Sequence, residues 1–161
     1  MVNRKGFTLI ELIMILVLIG IIAVLAVPRL PDVTTTNAGA FSNKLRADIR
    51  YIQSLAMIQN RSYRIYFNGI PAPSPSGYAA VYDTSGGAWT SFGYAQDPAL
   101  SGNLSVTLNT SRYAGITVST PAGGYIQFDS LGRPTVGGGT VLTVSPGGYT
   151  VTITGSTGSV N

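Results

Sequence analysis

The chain has 161 residues, which is enough for one globular domain and one further helix, since single domains usually take about 100–150 residues. Charged residues make up 10% of it and hydrophobic residues 45%, the formal net charge is +4, and the mean hydropathy is +0.29. Cysteine and histidine are absent, which excludes disulfides, thiolate or imidazole metal ligands and histidine-based acid–base catalysis. The composition argues against an enzyme, and it predicts neither a cofactor nor a metal ion.

The first predicted element is an apolar helix over residues 7–28. Residues 7–27 carry a single charge, at Glu11, and as a helix rising about 1.5 Å per residue they would span roughly 30 Å, the thickness of a bilayer core. Arg4 and Lys5 precede this run, which predicts a cytoplasmic N-terminus and a C-terminal body on the far side of the membrane. Two ordinary interpretations compete here: a single-pass anchor, and a secretory signal cleaved after Ala26.

Glu11 fits neither interpretation. A carboxylate inside a membrane helix costs on the order of 2.5–3.5 kcal/mol at mid-bilayer and less near the helix end. Such a group needs a cationic partner, and neither a plain anchor nor a cleaved signal supplies one. The carboxylate therefore indicates that this helix meets another charged group.

Residues 5–11, with the sequence KGFTLIE, resemble the processing motif of type IV pilins and type II secretion pseudopilins. The resemblance implies that a membrane peptidase removes the leader, residues 1–6, by cutting between Gly6 and Phe7, and then methylates the new amine of Phe7. It also implies that Glu11 pairs with the Phe7 amine of a neighbouring subunit and so sets the register of a filament. Gly20 and Pro28 would weaken the helix during assembly, although close packing and a plain helix end explain them equally well.

A second, amphipathic helix is predicted over about residues 40–61. Its apolar positions recur every three or four residues: Phe41, Leu45, Ile49, Ile52 and Ala56. Arginines on and just after this helix are candidates for contact with nucleic-acid phosphates, although a solvated helix face is the ordinary explanation of such a pattern. These candidates are Arg46, Arg50, Arg61 and Arg64.

The remainder, residues 62–161, consists of short β-rich runs separated by Gly, Pro, Ser and Asn. The runs are residues 62–68, 77–83, 89–95, 104–108, 116–120, 125–129, 141–145 and 149–154. They predict an antiparallel sheet that covers the apolar face of the helix. Its inward side chains are predicted to be Ile65, Phe67, Val106, Leu108, Ile126, Phe128, Val151 and Ile153.

The predicted fold class is α+β, with a long N-terminal helix, half membrane-inserted and half amphipathic, packed on a C-terminal antiparallel β-sheet head. Residues 29–161 would form this head. Three segments, residues 45–68, 125–134 and 149–160, are similar to the GspH/FimT group of minor pseudopilins. Phe128 and Gly132 fit the late Phe-x-x-x-Gly turn of that group. Residues 157–161 lack the basic side chains that FimT-like members use to capture DNA.

The resemblance implies a structural subunit rather than an enzyme, with three alternatives for its role. The first is a minor pseudopilin that supports protein secretion by a type II secretion filament. The second is a major or minor type IV pilus subunit for adhesion or motility, and the third is a DNA-receptor pilin for DNA uptake. The implied partners are other pilins, the prepilin peptidase and methyltransferase, the bacterial inner membrane and its assembly platform, with no small-molecule substrate. The head would lie in the periplasm and later in a periplasmic or surface filament.

Overall fold

The computed structural model describes residues 6–26, 32–69, 71, 76–108, 110 and 112–161. They fall into two compact units, one ending at Asp32 and the other comprising Val33–Asn161. The first unit contains helix α1, Leu9–Ala26. Among the described residues, no helix reaches the combination of length and hydropathy expected of a membrane-crossing segment. Pro28 and the connection between the two helices lie outside the described residues.

The second unit begins with helix α2, Val33–Ile58, which starts well before the predicted residue 40. Threonines at positions 34–36 have low helix propensity, so the sequence pattern gave no sign of these first turns. Packing explains them: Ala38 is fully buried, and a Cβ on Gly39 would lie 3.1 Å from the Tyr149 ring. The predicted apolar face of α2 is confirmed, since all five of its side chains are fully buried.

The described part of the head contains nine strands, and every strand pair is antiparallel. Six strands form one sheet in the order β3-β2-β1-β6-β7, with β4 paired to the other end of β2, and three form a second sheet in the order β5-β8-β9. The strands are β1 Tyr63–Phe67, β2 Gly77–Asp83, β3 Phe92–Tyr94, β4 Ser105–Thr107, β5 Thr117–Val118, β6 Tyr125–Phe128, β7 Pro134–Val136, β8 Val141–Ser145 and β9 Tyr149–Thr152.

The core lies between the buried face of α2 and both sheets, since α2 contacts β1 and β6 of the larger sheet and β8 and β9 of the smaller one. All eight side chains predicted to point inward are at most 7% exposed. The α+β class and the antiparallel pairing are therefore confirmed. The division into two sheets and strand β7 were not predicted.

Candidate functional site

The predicted cleavage site lies in the non-helical residues before α1. Gly6 and Phe7 are exposed, and the Phe7 side chain is 73% accessible. Thr8 caps the helix: its carbonyl oxygen accepts from the backbone N–H of Glu11 and of Leu12, each at 3.2 Å, and its hydroxyl accepts from the Glu11 N–H at 3.4 Å. The peptide bond after Gly6 is thus accessible, and the helix begins just beyond it.

Glu11 occupies the first turn of α1, where the positive end of the helix dipole favours a carboxylate. Thr8 and Glu11 form the Thr-x-x-Glu spacing typical of a helix start, a second signal that the sequence carries at this point. Within the described residues, the hydrogen bonds of Glu11 are made by its backbone N–H, and its side chain is exposed.

The surface of α1 is apolar and exposed along its length. Leu9 is 77% exposed and Val24 74%, and the large side chains between them are all more than two-fifths exposed. Gly20 lies in a shallow apolar depression with Val17, Ile21 and Val24. A Cβ on Gly6 or Gly20 would meet no atom within 4 Å, so the surroundings of these glycines within their unit do not require them. A continuous apolar surface of this kind is typical of a contact site.

Arg46 and Arg50 connect α2 to the C-terminal part of the head. Arg46 donates to the side chain of Asn43 at 2.9 Å and to the Thr150 carbonyl at 3.1 Å. Arg50 donates twice to the Val160 carbonyl, from Nε at 3.0 Å and from Nη2 at 2.5 Å. Both guanidinium groups therefore stabilise the packing of α2 on β9 and on the C-terminal residues that follow it.

Arg64 lies elsewhere, on the face of the larger sheet that points away from α2. Its guanidinium carbon is 3.8 Å from the centroid of the Trp89 ring and 4.3 Å from that of Tyr125. The same group donates to the Gln127 side chain at 2.7 Å and to the Tyr66 hydroxyl at 2.9 Å. The four arginines suggested for nucleic-acid contact thus occupy different places, and three of them donate hydrogen bonds within the head.

The Phe-x-x-x-Gly segment forms a tight turn between β6 and β7. The Asp129 carboxylate accepts from the N–H groups of Leu131 at 2.9 Å and Arg133 at 2.8 Å, and Arg133 pairs with it at 2.9 Å. Burial opposes ionisation, yet these hydrogen bonds and the Arg133 charge hold the pKa of Asp129 below its ordinary value. Gly132 has φ 74°, which favours glycine at this point of the turn.

Gln53, on α2, is hydrogen-bonded both to this turn between β6 and β7 and to the C-terminal residues. Its side-chain amide donates to the Gly132 carbonyl at 2.7 Å and to the Thr157 carbonyl at 3.1 Å. Gly158, with φ 71°, packs against both Gln53 and Gly132. Sequence reasoning missed Gln53, because a lone glutamine within a helix carries no sign of partners about 80 to 100 residues away.

In the ranges that the structure describes, no three His, Cys, Asp or Glu side chains come close enough to hold a metal ion. The structure has two notable features. One is an exposed N-terminal segment with a single carboxylate, and the other is a head in which arginine and glutamine side chains of α2 donate hydrogen bonds to β9, to the turn after β6 and to the C-terminal residues.

Two family models match the chain. The model described as the prokaryotic N-terminal methylation motif matches residues 1–27, and the model described as type II transport protein GspH matches residues 42–158. A search of curated proteins and a search of solved structures found no match. The GspH match covers more than half of the chain, from Ser42 in the third turn of α2 to Gly158 beside Gln53. The chain therefore belongs to the GspH family of type II transport proteins and is a pseudopilin-type pilin subunit.

Proposed function

We propose that this chain is a minor pseudopilin, cut between Gly6 and Phe7, methylated at the Phe7 amine and assembled through α1 into a type II secretion filament. Before assembly, α1 would hold it in the inner membrane, with its N-terminus in the cytoplasm and its head in the periplasm. Its partners are other pilins, the prepilin peptidase and methyltransferase, and the assembly platform. Its role is structural, in support of protein secretion.

One observation carries the proposal: an exposed apolar helix bears one carboxylate, Glu11, in its first turn, immediately after an exposed Gly6–Phe7 bond. Cleavage there creates an amine with a pKa near 8, which is a cation at neutral pH. That amine on one subunit is a suitable partner for the Glu11 carboxylate of the next. Desolvation offsets much of the attraction within such a pair, so it contributes register more than stability.

Mass spectrometry of the mature N-terminus tests the processing step. The chain is isolated from membranes of cells that produce a prepilin peptidase, and we expect it to begin at a methylated Phe7. A start at position 27 would instead mean a cleaved secretory signal, and an intact Met1 would mean a plain anchor. We expect most molecules of the Gly6→Ala variant to remain uncleaved.

Replacing Glu11 tests the assembly step. We expect Glu11→Ala to be cleaved as well as the native chain, because the Thr8 cap uses the Glu11 backbone, and to be lost from filaments because the Phe7 amine of its neighbour has no partner. Glu11→Asp, which keeps the carboxylate, is the matched control and should be incorporated better than Glu11→Ala. Cross-linking to other pilins in sheared filaments measures incorporation. Equal incorporation of Glu11→Ala and the native chain would rule out the register role.

The alternatives receive less support. A type IV pilus subunit would carry the same α1 features, and the GspH match favours the secretion filament. A DNA-receptor role needs free cationic groups, whereas Arg46, Arg50 and Arg64 already donate hydrogen bonds within the head. Such a role predicts salt-sensitive DNA binding, and absence of binding at low salt would exclude it.

A further inference from the structure

A polar cavity of about 270 Å³ opens where the end of α2 meets strands β1–β3. This volume lies just below the usual range for drug-sized ligands, about 300–1,000 Å³, and suits a ligand the size of one sugar ring or one amino acid. The side chains that define its chemistry are Tyr51, Gln59, Arg61, Tyr63, Tyr82 and Gln96. Most of them are neutral groups that can both donate and accept hydrogen bonds.

Tyr82 is the half-buried aromatic wall of the cavity, and the buried ring of Tyr63 lies behind it, with ring centroids 5.6 Å apart. The Tyr63 hydroxyl donates to the side-chain oxygen of Gln59 at 2.8 Å, which fixes the amide and leaves its NH₂ group to donate elsewhere. Burial, partly offset by the Arg61 charge, raises the pKa of Tyr63, so this hydroxyl keeps its proton at neutral pH. The exposed Gln59 amide is therefore held in position as a donor beside the cavity.

Arg61 supplies the charge. Its guanidinium carbon lies 4.8 Å from the centroid of the Tyr82 ring, and within the described part of the chain this group makes no hydrogen bond or ion pair. It differs in this respect from Arg46, Arg50 and Arg64. The side chains that line the cavity include no Asp or Glu, so Arg61 faces no compensating carboxylate there. A planar guanidinium on an aromatic ring is well suited to bind a carboxylate.

We propose that this cavity binds an acidic sugar residue, a uronic acid, with its carboxylate on Arg61, which the Tyr82 ring holds in place, and its hydroxyls on Gln59 and Gln96. Tyrosine rings offer an apolar face and a polar edge, which suits a sugar ring, and the amides suit its hydroxyls. A peptide partner would instead favour an apolar contact centre, whereas the aliphatic side chains here are Leu55 and Ala95 and the exposed lining is mostly polar. The site lies in the head and does not depend on the filament role proposed above.

Calorimetric titration of the full-length chain in detergent micelles tests this site, with galacturonic acid as the probe and galactose as its neutral counterpart. We expect galacturonic acid to bind at least about tenfold more tightly than galactose. Arg61→Gln should abolish that preference, a loss of about 1.4 kcal/mol. Arg112→Gln is the matched control, because Arg112 is also exposed and lies on a tyrosine ring, that of Tyr113 at 5.9 Å.

A second variant tests the aromatic wall without changing charge. A Cβ on Gly93 would overlap the Tyr82 ring, so Gly93→Ala should displace that ring and weaken galacturonic acid binding at least about tenfold. Cooperative thermal unfolding of each variant shows that it is folded. Absence of galacturonic acid binding at millimolar concentration, or equal weakening by Arg112→Gln, would overturn the proposal. So would equal binding of N-acetylglutamate amide, which would identify an acidic peptide side chain as the occupant.

Discussion

Asp48 is a carboxylate buried in the head, 6% exposed, and two donors on different elements compensate its charge. Its Oδ2 accepts from the Tyr78 hydroxyl at 2.5 Å and from Lys44 Nζ at 2.8 Å. A buried carboxylate that loses one donor retains the full cost of its desolvation. This small network therefore ties β2 to α2 by polar contacts as well as by packing.

Tyr78→Phe should lower the free energy of unfolding at neutral pH by about 1–3 kcal/mol, because it leaves Asp48 one donor short. It should also change the pH dependence. Burial and then the Asp48 charge raise the pKa of Tyr78 well above its ordinary value, so above about pH 10 the unfolded chain ionises first and native stability falls.

Tyr78→Phe has no hydroxyl at this position to ionise. Above about pH 10 its free energy of unfolding should therefore fall less steeply than that of the native chain. Urea unfolding at pH 8 and pH 11 measures both effects. Tyr125→Phe is the control, since Tyr125 packs on Tyr66 at 5.2 Å, on the face of the larger sheet that points away from α2 and Asp48. Equal slopes for Tyr78→Phe and the native chain would show that this hydroxyl does not govern the alkaline limit.

Gly77 is a position where glycine is required by two separate effects. Its φ is 138°, and a Cβ there would overlap the carbonyl oxygen of Val106 in the neighbouring strand β4. Gly87, with φ 106° and open space around it, isolates the backbone effect. Gly87→Ala should lower the free energy of unfolding by about 1–2 kcal/mol. Gly77→Ala should lower it further, by about 1–3 kcal/mol, because its Cβ also overpacks the contact with β4. Thermal unfolding compares them, and equal losses would mean that β4 can move aside freely.

At the scale of elements, the arginines of α2 hold the C-terminal residues. Arg50→Gln should lower the free energy of unfolding by about 1.5–3 kcal/mol, since the Val160 carbonyl loses a charged donor. It should also speed amide exchange at Asn161 and Thr152, whose backbones pair at 2.8 and 3.0 Å. Arg112→Gln, at an exposed residue without such bonds to the described residues, should stay within about 0.5 kcal/mol of the native chain. Unchanged exchange in Arg50→Gln would show that strand pairing alone fixes the C-terminus.

The sequence predicted elements that have strong periodicity and missed those that depend on distant partners. The apolar spacing of α2 and the alternation in β1, β6 and β9 indicated both their type and their buried faces. Strand β7 is short and begins with Pro134, a residue confined to edge strands and strand starts, so its pattern was too weak. The pairing of β5 with β8 rather than with the larger sheet depends on long-range contacts.

The candidate site divides in the same way. The KGFTLIE motif and its single carboxylate are local features, so Gly6, Phe7 and Glu11 could be selected from the sequence. The partners of Arg46, Arg50 and Arg64 could not be predicted from the sequence, because each guanidinium contacts a residue that is distant along the chain. The spacing of arginines on a helix shows which face carries positive charge. It does not show whether those guanidinium groups are already hydrogen-bonded within the folded head.

At the scale of the whole molecule, the described side chains separate into two kinds of surface. Every buried residue in the described ranges lies between Ala38 and Val160, whereas the large apolar side chains of α1 are exposed. The head therefore has a core of its own, and α1 carries an exposed apolar surface. This division suits a subunit that is anchored or assembled through one segment and presents the other.

The fragment 33–161 should consequently fold alone. We expect it to unfold cooperatively, with a free energy of unfolding within about 0.5 kcal/mol of that of the head in the full-length chain, because its removal from α1 deletes none of the described buried side chains. Urea denaturation, monitored by the fluorescence of Trp89, measures the cooperativity and the free energy of unfolding. Ile52→Ala in the same fragment is the positive control, since a fully buried isoleucine should cost about 2–5 kcal/mol. A fragment that is molten, or as unstable as Ile52→Ala, would mean that α1 contributes to folding of the head, and the separation of anchoring from folding would be wrong.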